Sequence, residues 1–381
     1  MHITLIGPTY PFGGGISHYT TLLCQHLRKR HAVHFLTFYR QYPTWLYPGQ
    51  SDRDEHSQNV LRVESDALLD GINPVTWWRA LRAIRQSPPE MLIVQWTVSF
   101  WMPLLWYITR FAPASTKVVM ICHNASPHEK ANRWLAPLMR KAQQVIMGQT
   151  DCLICHAQSD EEELRQLLPN HQITRVMLPS YAELASISKN TNRSGLTQPS
   201  SSRPNLLFFG FVRPYKGVEI LLDAMPQVLQ ALPKAHLTIA GEWWAAAGNP
   251  QSLLTEETKE AVTILNRYIP NEEMAHLFAQ ADVVVLPYRS ATQSAVVQLA
   301  YGFGVPVITT AVGGLPEAVE DEYSGFIVPP NDAQAFAQAI IRYHCDGWQA
   351  KLAEGVKQKR RGFSWQKMVE VLEEIAKSGR M

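Results

Sequence analysis

The sequence predicts an α/β protein built from two doubly wound, Rossmann-like domains. Three observations lead there. Apolar residues make up 46% and charged residues 18% of the 381 positions, a globular composition on a chain too long for one ordinary core. Short apolar runs alternate with segments whose apolar residues recur at helical spacing, the pattern of a parallel sheet with helices on both faces. The alternation runs twice, on either side of a polar stretch, KNTNRSGLTQPSSSR from Lys189 to Arg203, that reads as a linker. The expected division is a first domain over 1–182, a linker over 183–203, a second domain over 204–360 and a terminal helix over 361–381.

Taken in order, ITLIGP is a strand. Gly13, Gly14 and Gly15 then lead into ISHYTTLLCQHL, apolar at helical spacing. The glycines let backbone approach a ligand closely, and they equally suit a plain turn; the G-x-G-x-x-G spacing of a dinucleotide site is absent. Strands are expected at AVHFLTF, NVLRV, MLIVQW, KVVMIC, DCLIC and ITRVML, with helices at PVTWWRALRAIRQ and NRWLAPLMRKAQQVIM. Tyr39–Asn59 reads as a long loop that could line a cleft.

In the second half, NLLFFGF, HLTIAG, AVTIL, DVVVLPY, VPVITT and GFIVP are strands. The stretch LLFFGFVRPYKGVEILL, Leu206–Leu222, carries the strongest chemical signal. An apolar strand ends at Gly210, a short turn presents Arg213 and Lys216, and a helix starts after Gly217. Such a loop offers unpaired backbone N–H groups and a positive dipole end, and two cations suit it to phosphate. The same residues also fit a solvated turn. In doubly wound domains ligands bind beyond the carboxyl ends of the strands, where both the Gly13–Gly15 loop and the Arg213–Lys216 loop belong; the two are expected to face each other across a cleft.

Several function classes drop out. A net charge of +2 is too mild for nucleic acid. MHITLIGPTYP shows no basic n-region or cleavage site, and five scattered cysteines do not form a disulfide framework, so a cytoplasmic protein is expected. Cys152-Leu-Ile-Cys155-His156 matches the C-x-x-C-H spacing of haem attachment but lies in a strand-like run. Neither metal nor cofactor is expected. Met91–Thr109 is uncharged, yet Gln95, Ser99 and Pro103 interrupt it, so a strand followed by an aromatic helix fits better than a membrane span. Trp96, Phe100, Trp101, Trp106 and Tyr107 leave room for a peripheral contact with the inner face of a membrane.

The ordered series GFVRPYKG, IAGE, IPNEEMAHLFAQADVVVLPY, GVPVITT, VGGLPEAV and GFIVPP resembles the nucleotide-sugar half of a family 4 glycosyltransferase of the GT-B fold. The Gly-rich opening and the strand–loop at Ile121–Asn124 extend the resemblance into the first half, and FSWQ fits a last helix that crosses back onto the first domain. The resemblance implies retaining, metal-independent transfer of a sugar from a nucleotide diphosphate to the hydroxyl of a glycan or lipid-linked acceptor, in assembly of a surface polysaccharide or glycolipid. Arg213 and Lys216 then bind the diphosphate and stabilise the charge it develops, with Gly14, Gly15, Thr292, Gln293 and Ser294 beside them. His123, with His128 and Glu129 nearby, would touch the transferred sugar, although a capping or packing histidine fits the same place, and Glu242, Tyr268, Gln298 and Glu317 are candidates for the nucleotide or sugar. Glu242 and Glu317 also fit a dipole-favoured place at a helix start.

Two departures stand out. Phe211 occupies the position after Gly210 where many relatives carry arginine. Alignment on Gly304-Val305-Pro306 puts Ala291 and Leu299 at the positions of the paired E-x7-E glutamates. Gln298 is one residue from the second of these, but one helical step turns a side chain by about 100°. A sugar-nucleotide epimerase and a catalytically silent GT-B binding protein therefore stay open as alternatives.

Overall fold

The computed structural model describes residues 1–43, 45–47, 49–125, 136–187, 203–244, 248 and 250–378. His128, Glu129 and most of the expected linker, 188–202, lie outside the described residues. The chain forms two compact units. The first comprises Met1–Glu55, Leu61–Met177 and Trp365–Met381, and the second His56–Val60 and Leu178–Ser364.

The first unit begins with β1 (His2–Ile6), α1 (Gly15–Arg28), β2 (Ala32–Arg40), β3 (Asp66–Asp70), α2 (Pro74–Gln86) and β4 (Met91–Trp96). It continues with α3 (Met102–Phe111), β5 (Lys117–Cys122), α4 (Ala136–Met147), β6 (Cys152–Cys155), α5 (Gln158–Leu167) and β7 (Ile173–Arg175). The strands form one sheet in the order β3-β2-β1-β4-β5-β6-β7, parallel throughout. Strand order reverses between β1 and β4, where open sheets bind ligands. Alternate residues Leu92, Val94 and Trp96 of β4 and Val118, Met120 and Cys122 of β5 share one apolar core with the inner faces of α2, α3 and α4.

The second unit starts earlier than the sequence suggests. α6 (Ala182–Ile187) occupies the start of the expected linker, and Leu178, Tyr181 and Leu184 are buried. Sequence composition marks only the polar stretch that follows, because this short helix gains its stability from packing. Next come β8 (Asn205–Phe209), α7 (Val218–Ala231), β9 (His236–Ala240), β10 (Val262–Leu265), α8 (Asn271–Gln280) and β11 (Val283–Leu286). The unit ends with α9 (Ala295–Phe303), β12 (Val307–Thr310), α10 (Leu315–Ala318), β13 (Gly325–Val328), α11 (Ala333–Cys345) and α12 (Trp348–Lys359). Its sheet has the order β10-β9-β8-β11-β12-β13, again parallel.

One expected strand is elsewhere. NVLRV, residues 59–63, is not a strand; DALLD at Asp66–Asp70 is. Residues 56–60 join the second unit instead: Asn271 donates its backbone N–H to Ser57 Oγ at 2.8 Å, and Asn59 its own to the Glu272 carboxylate. β3 is an edge strand held by charge as much as by apolar content, with Asp70 2.6 Å from Arg40 and Asp66 2.8 Å from His34 on β2.

α13 (Trp365–Lys377) belongs to the first unit. Trp365 packs on Tyr19 at a centroid distance of 5.2 Å and on His26 at 5.6 Å, Glu373 bonds His31 at 2.8 Å, and Lys117 Nζ donates to the Ile375 carbonyl at 2.6 Å. Trp365→Ala is therefore expected to destabilise the first unit by about 3–5 kcal/mol in denaturant titration. A loss below about 1 kcal/mol, the size of a surface change, would show that this helix contributes little to that core.

Candidate functional site

The carboxyl ends of the second sheet carry most of the chemistry. β8 is followed by Gly210, whose φ of 101° suits only glycine; a Cβ there would lie 3.1 Å from Lys216 Nζ. The chain then makes one 3-10 turn, Pro214–Lys216, and leaves it through Gly217 in the left-handed region at φ 62°. A Cβ on Gly217 would sit 2.2 Å from the Pro287 carbonyl, so the turn lies directly on the end of β11. Arg289 N–H donating to the Tyr215 carbonyl at 2.7 Å fastens it.

This geometry turns Lys216 inward. Its Nζ stands 5.4 Å from the Tyr288 ring centroid and 6.0 Å from that of Phe208, and the residue is only 8% exposed. Among the described residues no carboxylate pairs with it. Burial, and secondarily the nearby Arg213 charge, lower its pKa to about 7. A buried cation without a counter-ion favours an incoming anion.

Arg213 is aimed by stacking. Its guanidinium carbon lies 3.5 Å from the Trp244 ring centroid, a cation–π contact that fixes the plane of the fork. Phe211 packs on the same Trp244 at 5.6 Å and so helps hold it in place. Backbone bonds from Val212 N–H to the Glu242 carbonyl (2.9 Å) and from Trp244 N–H to the Val212 carbonyl (3.1 Å) join this loop to the one after β9. Trp244 is a member of the site that sequence reading missed; the signal was the pair Trp243-Trp244 directly after Glu242.

The remaining candidates sit as follows. Glu242 is buried at the end of β9. Tyr268 is half-buried beyond β10, in a loop joined to the previous one by Trp243 N–H donating to Asn266 Oδ1 at 2.8 Å. Ser294, buried beside the Tyr288 phenol, is the N-cap residue of α9. Val296 Cγ2 and Lys216 Nζ both border Gly210, which places the α9 N-terminus next to Lys216. Thr292 accepts from Gly314 N–H at 2.9 Å, Gln293 is half-buried beside it, and Glu317 is half-buried on the short α10 that follows.

Gln298 is separated from this group. It is fully buried, and neither amide atom has a hydrogen-bond partner among the described residues. It lies one turn before Gly302, whose Cβ would touch the Ala182 backbone at 3.1 Å, so it shares the face of α9 turned to α6 and not that of Val296. Leu299 is buried, and Ala291 supports the glycine loop: a Cβ on Gly313 would meet the Ala291 carbonyl at 1.5 Å.

In the first unit, His123 directly follows β5. Its Nε2 lies 2.8 Å from Gln95 Oε1, its ring meets Tyr19 edge-on at 4.7 Å, and His156 is 5.7 Å away. Burial, followed by the His156 charge, pushes its pKa well below the ordinary imidazole value. It is a neutral hydrogen-bonding group at pH 7. Gly14 precedes α1 with φ 94° and Gly15 opens it; Gly13 N–H donates to the Asp52 carbonyl at 2.9 Å and Asp54 N–H to the Pro11 carbonyl at 2.7 Å, so Asp52–Asp54 pack against this loop.

Cys152 and Cys155 are buried within β6, and His156 Nδ1 lies 2.8 Å from the Val176 carbonyl. Among the described residues no group of three or more His, Cys, Asp or Glu side chains could hold a metal ion, and no helix is long and apolar enough to cross a membrane. Trp96 and Trp101 are core residues; of the aromatic cluster around them Trp106, at 41%, is the exposed one.

Both units are similar to known proteins. Residues 13–176 match the family described as Glycosyltransferase Family 4, and residues 203–346 that described as Glycosyl transferases group 1. A D-inositol 3-phosphate glycosyltransferase from Saccharomonospora viridis is 28% identical over 179 residues, 45% of this chain and 42% of that protein. The chain matches about half the length of such curated relatives. Among solved structures, sucrose-phosphate synthase from Thermosynechococcus elongatus superposes with a TM-score of 0.73 at 21% identity over 98% of both chains. Anabaena HepE in complex with UDP and glucose does so at 0.69 and 16%, also over 98% of both. With both units matched, the chain belongs to the group 1, family 4 glycosyltransferases, and its fold is the GT-B type.

The lowered Lys216 pKa has a measurable sign. An anion binds the protonated amine, so above pH 7 binding must draw in a proton, and affinity falls by up to about tenfold per pH unit. Calorimetry of UDP binding at pH 8 in buffers of different ionisation enthalpy is expected to show uptake of nearly one proton. Lys216→Met should abolish that uptake, and unchanged uptake in the variant would assign the proton to another group.

Proposed function

We propose that this chain is a retaining, metal-independent glycosyltransferase. It moves a sugar from a nucleotide diphosphate sugar to a hydroxyl of a glycan or lipid-linked acceptor, in assembly of a surface polysaccharide or glycolipid and in peripheral contact with a membrane. The observation that carries the reading is Lys216, a buried amine without a carboxylate partner among the described residues, at the strand ends of the second unit and beside the α9 N-terminus. Departure of the sugar places negative charge on the diphosphate. Lys216, the stacked Arg213 and the first N–H groups of α9 are fixed positive groups that stabilise it without reorganising. In a retaining front-face reaction the leaving phosphate accepts the acceptor's proton, so the neutral His123 serves as a hydrogen-bond partner for the sugar and not as the base.

UDP-bound Anabaena HepE supports a nucleoside diphosphate as the leaving group in this fold. A second reading has its own support: alignment on Gly304-Val305-Pro306 puts Ala291 and Leu299 where the family resemblance implies paired glutamates, which suits a protein that binds a nucleotide sugar without turnover. Product analysis with and without acceptor separates transfer from epimerisation and from silence.

Lys216→Ala is expected to lower transfer by at least about a hundredfold, the scale for losing one fixed transition-state donor, with the melting temperature unchanged or raised because an unpaired buried charge is removed. Retained turnover in a folded Lys216→Ala protein would refute the site.

A further inference from the structure

Helices α2, α3 and α4 form one layer over the first sheet, α2 touching α3 and α3 touching α4, with their inner faces in the shared core. They contain Arg79, Arg82, Arg85, Arg110, Arg140 and Lys141, and no Asp or Glu. All six cations are exposed. None has a carboxylate partner among the described residues. Their contacts are neutral: Arg82 lies 5.5 Å from the Trp78 ring centroid, Arg110 5.6 Å from that of Phe111, and Arg85 donates to the Phe111 carbonyl at 2.9 Å.

Apolar side chains are interspersed with them. Val75 is 54%, Trp78 50%, Trp106 41% and Val145 45% exposed. A chain whose net charge is only +2 thus concentrates unpaired cations on three adjacent helices that also expose bulky apolar groups. The concentration stops at α5, where Asp160, Glu161, Glu162 and Glu163 precede Arg165.

We propose that this helical layer is a docking surface for an anionic lipid bilayer. Cations meet lipid phosphates and carboxylates, while Trp78 and Trp106, with their apolar bodies and polar N–H groups, enter the headgroup region. A nucleic acid would satisfy the arginines but leave Val75 and Val145 exposed, and a second copy of the same face would meet like charge. The inference rests on the peripheral-contact part of the proposed function and not on its chemistry.

The test is co-sedimentation of the full chain with sucrose-loaded vesicles, either phosphatidylcholine alone or mixed with phosphatidylglycerol. Binding is expected only to the mixed vesicles and should weaken as salt rises. Arg79→Gln, Arg82→Gln and Arg110→Gln together should reduce partitioning on the order of a hundredfold, at roughly fivefold per charge. Trp106→Ala should weaken binding while keeping its salt dependence. The charge-matched control Lys351→Gln, Lys357→Gln and Lys367→Gln should bind as the parent does. Absence of binding to mixed vesicles, an equal loss in the control, equally tight binding of single-stranded DNA, or a dimer that the arginine variant dissociates would each overturn the proposal. Turnover on a water-soluble acceptor, measured in parallel, should be the same for parent and arginine variant. A parent that binds vesicles but turns nothing over would sink the catalytic reading and leave this one standing.

Discussion

An ammonium group held away from water with no carboxylate beside it is unfavourable, and the second unit is arranged to keep one in place. Lys216 has two aromatic rings near it, a guanidinium that repels it and a helix N-terminus that adds further positive potential. Among the described residues no carboxylate compensates the charge, and the lowered pKa follows from burial and from Arg213. The compensation is expected from a ligand. Three glycines at positive φ make the arrangement possible: Gly210 leaves room for Nζ, Gly217 lets the turn rest on the end of β11, and Gly241 lets the β9 loop approach to where a Cβ would lie 2.2 Å from the Gly210 carbonyl.

Parallel topology explains why these loops converge. In the order β10-β9-β8-β11-β12-β13 every strand delivers its carboxyl end to the same edge, so Glu242, Tyr268, Tyr288, Thr292 and Glu317 follow the ends of four strands, β9, β10, β11 and β12, although they span much of the unit's sequence. The cross-loop bonds Val212–Glu242, Trp243–Asn266 and Gly314–Thr292 tie neighbouring loops in pairs. Arg213 and Lys216 are thereby supported on rigid elements, as the proposed stabilisation of developing charge requires. The first unit applies the same plan with different chemistry: its histidine is kept neutral by burial, and its glycine loop is covered by the chain at Asp52–Asp54.

Most strands are legible in the sequence because they are buried on both faces and read as short, continuous Val, Ile and Leu runs. DALLD escapes that rule since an edge strand uses charged pairs, and NVLRV satisfies it without being a strand because Ser57 and Asn59 engage α8 instead. Lys216 is legible as a cation in a strand–turn–helix unit; its burial is not, because that depends on Pro287 and Tyr288, some seventy residues away. Trp244 and Gln95 act through contacts that spacing along the chain does not reveal. Gln298 is a candidate for the nucleotide or sugar from the sequence; that it shares the face of α9 on which Gly302 packs against Ala182 depends on the fold of α6, which spacing along the chain does not reveal.

The central claim is that the buried Lys216 charge awaits a diphosphate. A crystal structure of the chain soaked with UDP tests it most directly. The diphosphate should lie within hydrogen-bond distance of Lys216 Nζ, against the α9 N-terminus, with Arg213 still stacked on Trp244. Density for the diphosphate at the opposite edge of the sheet, in the cavity of about 900 Å³ bordered by Arg203, Lys234 and His344, with Lys216 untouched, would contradict it.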